Sequence, residues 1–309
     1  MNNNPLLSIC TLTYNHENFI AKTLDGFLSQ ETNFEFEIVI GEDASTDNTR
    51  EIIKKYHSQF PDKIIILENE YNLGMVKNWV NALDGCEGKY IAFCEGDDYW
   101  TDPYKLQKQV DFLEANPEYG MVSSDVNLID ENGNPLPDTN MVLKQREKRK
   151  PTVDFFDLLE TNLVNTLTVC VRADLMKSLT EKVVEENLWF VYDYWFWLHI
   201  ALKSKIRIFD EKIAAYRIHK KGISRQNGVL KKQRVFIIWD AIKSLLKNKP
   251  NLSYNEKQII ARKVVGLIRA QNLSFGKKIK IACWSFLHYK IFLPFLSKKN
   301  LNIGFKSTK

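Results

Sequence analysis

Four apolar runs of strand length punctuate the first hundred residues: Leu7–Leu12, Phe36–Ile40, Ile64–Leu67 and Tyr90–Cys94. The segments between them carry helical spacing instead. Phe19, Ile20, Leu24, Phe27 and Leu28 share one helix face, as do Ile52, Ile53, Tyr56 and Phe60, and then Val76, Trp79, Val80 and Leu83. Apolar residues at intervals of three and four mark the buried side of an amphipathic helix. Strand and helix in strict alternation require right-handed crossovers, which build an α/β domain around a mostly parallel sheet. Asn15 is a candidate cap for the first helix and Asp47 or Asn48 for the second, while Asp102-Pro103 predicts the start of a fourth.

Two of the strand runs end in acid. Gly41-Glu42-Asp43-Ala44-Ser45 follows the second, and Glu95-Gly96-Asp97-Asp98 is continuous with the fourth. Solvated turns also use Asp and Gly. Two such clusters at the same end of neighbouring strands, however, lie where open α/β sheets bind ligands. Three carboxylates within four residues repel one another, and a hard divalent cation relieves that repulsion while bridging to a phosphate. No GxGxxG or GxxxxGKS loop is present, which argues against a dinucleotide or P-loop enzyme.

Beyond residue 120 the alternation loosens. Met121–Ser124 and Val126–Ile129 read as strand pieces, Asn132-Gly133 as a turn, and Lys144–Lys150 as an exposed loop. Leu167–Val171 reads as a strand before an aromatic helix that begins at Asp193, and two short strands are expected at Ile206–Phe209 and Ile213–Ile218. From Val229 to about Leu296 the pattern is helical. Trp195 and Trp197 are read as core residues.

The chain's 309 residues are enough for a substantial core, and 44% hydrophobic with 26% charged residues is a globular composition. The five cysteines form no CxxC pair and no zinc-like spacing, and Cys10 and Cys94 fall inside strands as small apolar groups. Met1–Pro5 shows no basic segment leading into an apolar one, so a reducing, cytoplasmic setting is expected. The net charge of +5 is unevenly spread. Glu256 is the last acidic residue, and twelve Lys and Arg follow it, so residues 1–256 are net acidic and the tail strongly basic. Within that tail Ile279–Leu296 is aromatic but interrupted by Lys280, His288 and Lys290. It is too short and too charged for a membrane span. It fits either an interfacial helix on anionic lipid or a helix packed on the rest of the protein. No nucleic-acid motif accompanies the charge, so nucleic acid is not an expected partner.

Four spaced segments together carry a resemblance: Ser8–Asn15, Glu42–Thr49, Asn72-Leu73-Gly74 and Glu95–Asp98. In that order they resemble the family 2 inverting glycosyltransferases, and the likeness runs on through Asp193 and Tyr216-Arg217-Ile218-His219, covering roughly residues 6–225. The resemblance implies the GT-A fold, the nucleotide-diphospho-sugar transferase architecture, with the helical region after residue 225 as an extension. Residues 1–225 would be the catalytic domain, donor-binding to about 120 and acceptor-binding beyond. Residues 226–309 would be a basic helical region that either meets a membrane or packs on the domain.

The resemblance also implies roles. Thr13, Tyr14, Glu42, Asp43, Lys77, Glu95 and Asp97 would surround a UDP-sugar, with Tyr14 against the base and Asp43 on the uracil ring nitrogen. Asp97 and Asp98 would bind the ribose and a divalent metal, Mn2+ or Mg2+, in an order left open. His219 would approach the metal or the diphosphate. Asp193 falls on the catalytic base, whereas spacing alone favours a helix cap there. The chain has Glu95 where the family often has Asp, Ala44 where it often has Gly, and Tyr192 where it often has Glu. The implied function is metal-dependent transfer from a UDP-sugar to a carbohydrate or lipid-linked glycan, in surface polysaccharide synthesis at the inner face of the cytoplasmic membrane. A sugar nucleotidyltransferase and an inactive nucleotide-sugar-binding scaffold are the alternatives. The first lacks its Gly-rich amino-terminal signature here, and the second is disfavoured by the intact carboxylates.

Overall fold

In the computed structural model, residues 5–189, 192–220, 222, 227–249 and 251–269 are described, and for 141, 227–232 and 267–269 the backbone alone. β1 (Leu7–Thr13), β2 (Phe36–Glu42), β3 (Ile64–Glu68) and β4 (Tyr90–Phe93) are the four predicted strands. They are mutually parallel, with β1 between β2 and β4 and β3 at the edge. Between them run α1 (Ile20–Leu28), α2 (Thr49–Gln59) and α3 (Met75–Asp84). In register, Thr13 pairs with Glu42, so the loops after β1 and β2 emerge side by side.

The second half widens this sheet. After β5 (Tyr99–Trp100) and α4 (Lys105–Ala115) come β6 (Tyr119–Ile129), α5 (Asn140–Lys148), β7 (Thr152–Val153), α6 (Phe155–Glu160), β8 (Cys170–Arg172) and α7 (Ala173–Glu185). α8 (Asp193–Ala201), β9 (Lys205–Arg217), α9 (Asn227–Asn248) and α10 (Tyr254–Arg269) complete the described chain. The nine-stranded sheet runs β3-β2-β1-β4-β8-β6-β9-β5, with β7 paired to β9. It is mixed, since β8 is antiparallel to both β4 and β6. The α/β architecture read from the sequence is thus present, with the first four strands parallel and β6 parallel to β9.

Several expectations are corrected. Asn15 caps no helix: α1 begins five residues later, because the Asn15 carboxamide oxygen accepts from the Thr46 amide instead (2.8 Å). Asp102-Pro103 forms a turn before α4, with the Asp102 carboxylate accepting from Tyr104 N. The two pieces around residue 125 are one strand, β6, and the two near 206–218 are one strand, β9. Register shifts between β6 and β9 at Asp125 let both bend without ending. Leu167–Val171 is a 3-10 turn at Thr166–Thr168 followed by β8. The supposed loop at Lys144–Lys150 is mostly α5. Buried Asp125 holds it through ion pairs with Arg146 (2.7 Å) and Arg149 (2.9 Å), which periodicity cannot foresee.

One core cluster contains Trp79, Phe93, Trp195, Phe196 and Trp197 and extends to Ile237, Ala241 and Ile242 of α9 and to Ile260 and Val264 of α10. Trp195 and Trp197 are 0% exposed, in agreement with their core reading. Arg262 Nη2 also reaches Glu160 Oε1 on α6 (2.6 Å). Among the described residues no helix is long and apolar enough to cross a membrane. The tail segment Ile279–Leu296 lies outside the described residues.

Candidate active site

The loops after β1 and β2 are stitched together by short polar side chains. Asn15 N donates to Ser45 Oγ (3.0 Å), His16 N to Thr49 Oγ1 (2.8 Å), and Glu17 N to Asp47 Oδ2 (3.2 Å). Asn15 and Ala44 both adopt left-handed backbone, at φ 56° and 57°. The second value accounts for a glycine preference at that position, since a Cβ is strained there.

The two carboxylates of the first acidic cluster hold loops in place. Glu42 is 0% exposed; its Oε2 accepts from Arg50 Nε (2.8 Å) and its Oε1 from Ser45 N (2.7 Å). Asp43 Oδ1 accepts from Leu73 N (2.7 Å) and Asn69 Nδ2 (3.0 Å), while Oδ2 accepts from Gly74 N (3.0 Å). Asp43 thereby fixes the Asn72-Leu73-Gly74 turn, where Gly74 has a φ of 81° that glycine adopts without strain. Tyr14, which the resemblance set against the base, is 42% exposed beside these loops. Lys77, in the first turn of α3, is exposed with its ammonium 5.6 Å from the centre of the Trp189 ring.

At the end of β4, Gly96 N donates to Leu12 O (2.9 Å). A Cβ on Gly96 would stand 2.9 Å from both Thr13 Oγ1 and His16 Nδ1, so only glycine lets the β1 loop lie this close. The next two residues diverge. Asp98 is buried, and its Oδ1 accepts from Arg217 N (2.7 Å), so its carboxylate anchors the end of β9. Asp97 Oδ2 meets His219 Nε2 at 2.9 Å, with His16 Nε2 3.9 Å away. Arg217 Nε donates to Asp97 O (2.8 Å), binding the two segments again.

Their protonation follows from this packing. Burial pushes Asp97 up, but the His219 hydrogen bond and the nearby His16 hold it below the usual carboxylate range. Burial and the charges of Asp97 and Glu95 push Asp98 well up. Burial, then the charges of Asp97 and Asp193, raise Glu95 to about 8. A cavity of about 10 Å³, roughly one water, lies beneath Glu95, lined also by Cys10, Leu12, Trp79, Phe93 and Cys94.

Asp193 approaches this cluster from α8. It occupies the first helical position and Tyr192 the cap, so the cap reading is set aside. Its Oδ1 accepts from Tyr194 N (2.6 Å) and its Oδ2 from the Thr166 hydroxyl. Burial raises its pKa, partly offset by those two bonds. Thr166 belongs to a 3-10 turn and offers no signal in the sequence; it is found only from the fold. His16 escaped notice because a lone His in a loop is usually merely exposed.

The donor set suits a divalent ion. Neighbouring ligands of an octahedral ion, each at about 2.1 Å, stand about 3 Å apart, close to the separation of Asp97 Oδ2 and His219 Nε2. One carboxylate oxygen with one imidazole nitrogen is a mixed donor pair that first-row divalent ions accept. Among the described residues no group of three such side chains is already gathered around one point.

Residues 8–171 match the family described as Glycosyl transferase family 2. An uncharacterized protein of Mycobacterium bovis is 34% identical over 220 residues, which are 70% of this chain and 60% of that protein. The chain thus spans about 60% of the length of this curated relative. The UDP-Glc:alpha-D-GlcNAc-diphosphoundecaprenol beta-1,3-glucosyltransferase WfaP of Escherichia coli is 28% identical over 269 residues, 82% of this chain and 98% of that one. Among solved structures, residues 1–349 of S. aureus TarS in complex with UDP-GlcNAc share the fold at a TM-score of 0.63 and 19% identity, covering 89% of this chain and 76% of that one. The mannosyltransferase PcManGT of Pyrobaculum calidifontis, in complex with GDP-Man and Mn2+, does so at 0.59 and 16%, covering 97% and 86%.

Proposed function

This chain belongs to Glycosyl transferase family 2, and from that premise we propose that it transfers a sugar, with inversion, from a UDP-sugar to a hydroxyl of a carbohydrate acceptor. The observation that carries the reading is that α8, which begins at Asp193, packs on the strand leading into Glu95–Asp98, with the Trp197 and Phe93 ring centroids 6.0 Å apart, and the Asp193 charge acts on Glu95. A base and a diphosphate-binding edge on one site are what such a displacement requires. The glycan named for the Escherichia coli relative makes a diphosphate-lipid-linked sugar the preferred acceptor class. The UDP-Glc in the same relative's name supports UDP as the nucleotide of the donor.

Asp97 and His219 would hold the divalent ion. When bound, the ion supplies Lewis-acid stabilisation of the charge that develops on the departing diphosphate. The chain's own groups do the rest. The loops fixed by Glu42 and Asp43 form the nucleotide end, with Tyr14 available to the base. The acceptor oxygen attacks the anomeric carbon on the face opposite the diphosphate, and the bond to the diphosphate breaks with its electron pair leaving on UDP. The acceptor's proton passes to Asp193, whose oxygens each keep a lone pair beyond those used by Tyr194 N and Thr166. A base raised by burial accepts that proton more readily, provided it is ionised at the working pH. Aromatic packing around Trp79, Phe93 and Phe196 keeps α8 from shifting.

UDP release measured over a panel of nucleotide sugars, with lipid-linked acceptor present and absent, tests the proposal. NMR of the product anomer tests inversion. Acceptor-independent silence with every UDP-sugar, alongside turnover of another nucleotide sugar, would reassign the donor. A retained anomer would remove Asp193 from the role of base.

A further inference from the structure

His16 stands on the loop after β1 and turns toward the same Asp97 oxygen that His219 meets. Its Nε2 is 3.9 Å from Asp97 Oδ2, and its Nδ1 is 3.2 Å from Thr13 Oγ1. Its backbone is tied to Thr49 Oγ1. Its ring packs on the Gly96 backbone so closely that a Cβ there would stand 2.9 Å from Nδ1. Phe19 packs near both imidazoles, 6.4 Å from His16 and 5.2 Å from His219 by ring centroids. Two imidazoles, drawn from segments two hundred residues apart, therefore direct Nε2 at one carboxylate oxygen. The Thr13 contact on Nδ1 is the kind of outer hydrogen bond that orients a metal-binding histidine.

We propose that His16 is a protein ligand of the divalent ion, completing with Asp97 and His219 a set of two imidazoles and one carboxylate. This rests on the metal-dependent reading above. Ligands around an octahedral ion at about 2.1 Å stand about 3 Å apart when adjacent and about 4.2 Å apart when opposite. The 3.9 Å between His16 Nε2 and Asp97 Oδ2 lies between those two values; the three side chains are not yet gathered around one point, so binding draws the His16 ring inward. The consequence is selectivity. Imidazole nitrogen is a better ligand for first-row transition ions, of which manganese binds it most weakly, than for magnesium, which keeps oxygen ligands and water. His16 thus biases the site toward Mn2+ over Mg2+. The rival roles for His16 are a plain ion pair with Asp97 and a hydrogen-bond donor to the diphosphate itself.

The test titrates Mn2+ alone into the full chain, following the EPR signal of the free ion, with Mg2+ as competitor. His16→Ala is expected to weaken Mn2+ binding by about 10–100-fold and to lower the Mn2+ to Mg2+ affinity ratio, with an unchanged melting temperature. Should the alanine variant be unstable, His16→Gln carries the same expectation with the side-chain volume kept. UDP binding in EDTA should be the same for variant and wild type. Wild-type Mn2+ affinity in both variants would overturn the proposal. So would retained Mn2+ binding with loss of UDP binding in EDTA, which would make His16 a diphosphate donor. A wild-type protein that binds no Mn2+ would instead sink the metal reading itself, a result visible before any variant is made.

Discussion

Trp195 Nε1 donates a 3.0 Å hydrogen bond to Asp240 Oδ2, joining the helix that begins with Asp193 to α9. The same carboxylate lies 3.4 Å from His199 Nε2 and 3.6 Å from Lys182 Nζ. α9 is therefore a support for the helix that carries Asp193, positioned by a buried polar cluster as well as by apolar packing. A buried charge left without its partners is costly, and removal of one partner from such a set typically costs about 3–5 kcal/mol.

That cluster predicts an acid sensitivity. Burial alone would push Asp240 up, but the His199 and Trp195 bonds and the Lys182 charge hold it below the usual carboxylate range. A depressed folded pKa means that the stabilisation is present above the unfolded value, about 3.9, and is lost as pH falls through the folded one. Urea unfolding at pH 7 and at about pH 2.5, below the unfolded value, should show wild-type stability falling with acid. Asp240→Asn should be weaker at pH 7 and flatter with pH. An identical pH slope in the two proteins would remove Asp240 from the account.

Ala44→Gly is expected to stabilise. A left-handed alanine costs about 1–2 kcal/mol, against about 0.5–1 kcal/mol of extra unfolded-state entropy for glycine. A gain of about 0.5–1 kcal/mol in unfolding free energy follows from the difference. A loss of stability would mean that the loop does not hold Ala44 at its φ of 57°.

Much of the site was legible before the fold was known, for an identifiable reason. Carboxylates at strand ends are local features, and Glu42, Asp43, Glu95 and Asp97 needed only the strands to be placed. What stayed hidden depends on partners far away in sequence. Asp98, read together with Asp97 as a metal or ribose residue, has a carboxylate that accepts from Arg217 N, 119 residues on. Thr166 and Asp193 meet across 27 residues, and Asp125 holds Arg146 and Arg149 across 21 and 24. No periodicity reports such pairings. The short strand pieces around β6 and β9 failed for a related cause: bulges interrupt the apolar alternation without ending the strand.

The divergence of Asp97 and Asp98 gives a paired test. Asp97→Asn should abolish Mn2+ binding and transfer together, because it removes the charged oxygen beside His219. Asp98→Asn keeps an acceptor for Arg217 N, so Mn2+ binding should survive. Calorimetric titration of Mn2+ into both variants checks this. Equal loss of Mn2+ affinity in the two would return Asp98 to the metal.

Asp193→Asn preserves size and the hydrogen bond to Tyr194 N but cannot take a proton. Transfer should fall by roughly 10²–10⁴-fold with UDP-sugar binding intact. Thr166→Val makes the finer case. The Thr166 hydroxyl stabilises the ionised carboxylate and so lowers the Asp193 pKa, against the burial that raises it. With that donor gone, the pKa rises further, and the carboxylate is ionised only at higher pH. The ascending limb of the kcat profile should therefore move to higher pH, while the plateau rate above it changes little, because a base of higher pKa is the stronger acceptor once ionised. A shift to lower pH would reverse the assigned role of Thr166. A plateau that collapsed without any shift would mean that Thr166 acts by holding the Asp193 ring of contacts in position, and that its hydrogen bond does not tune the base.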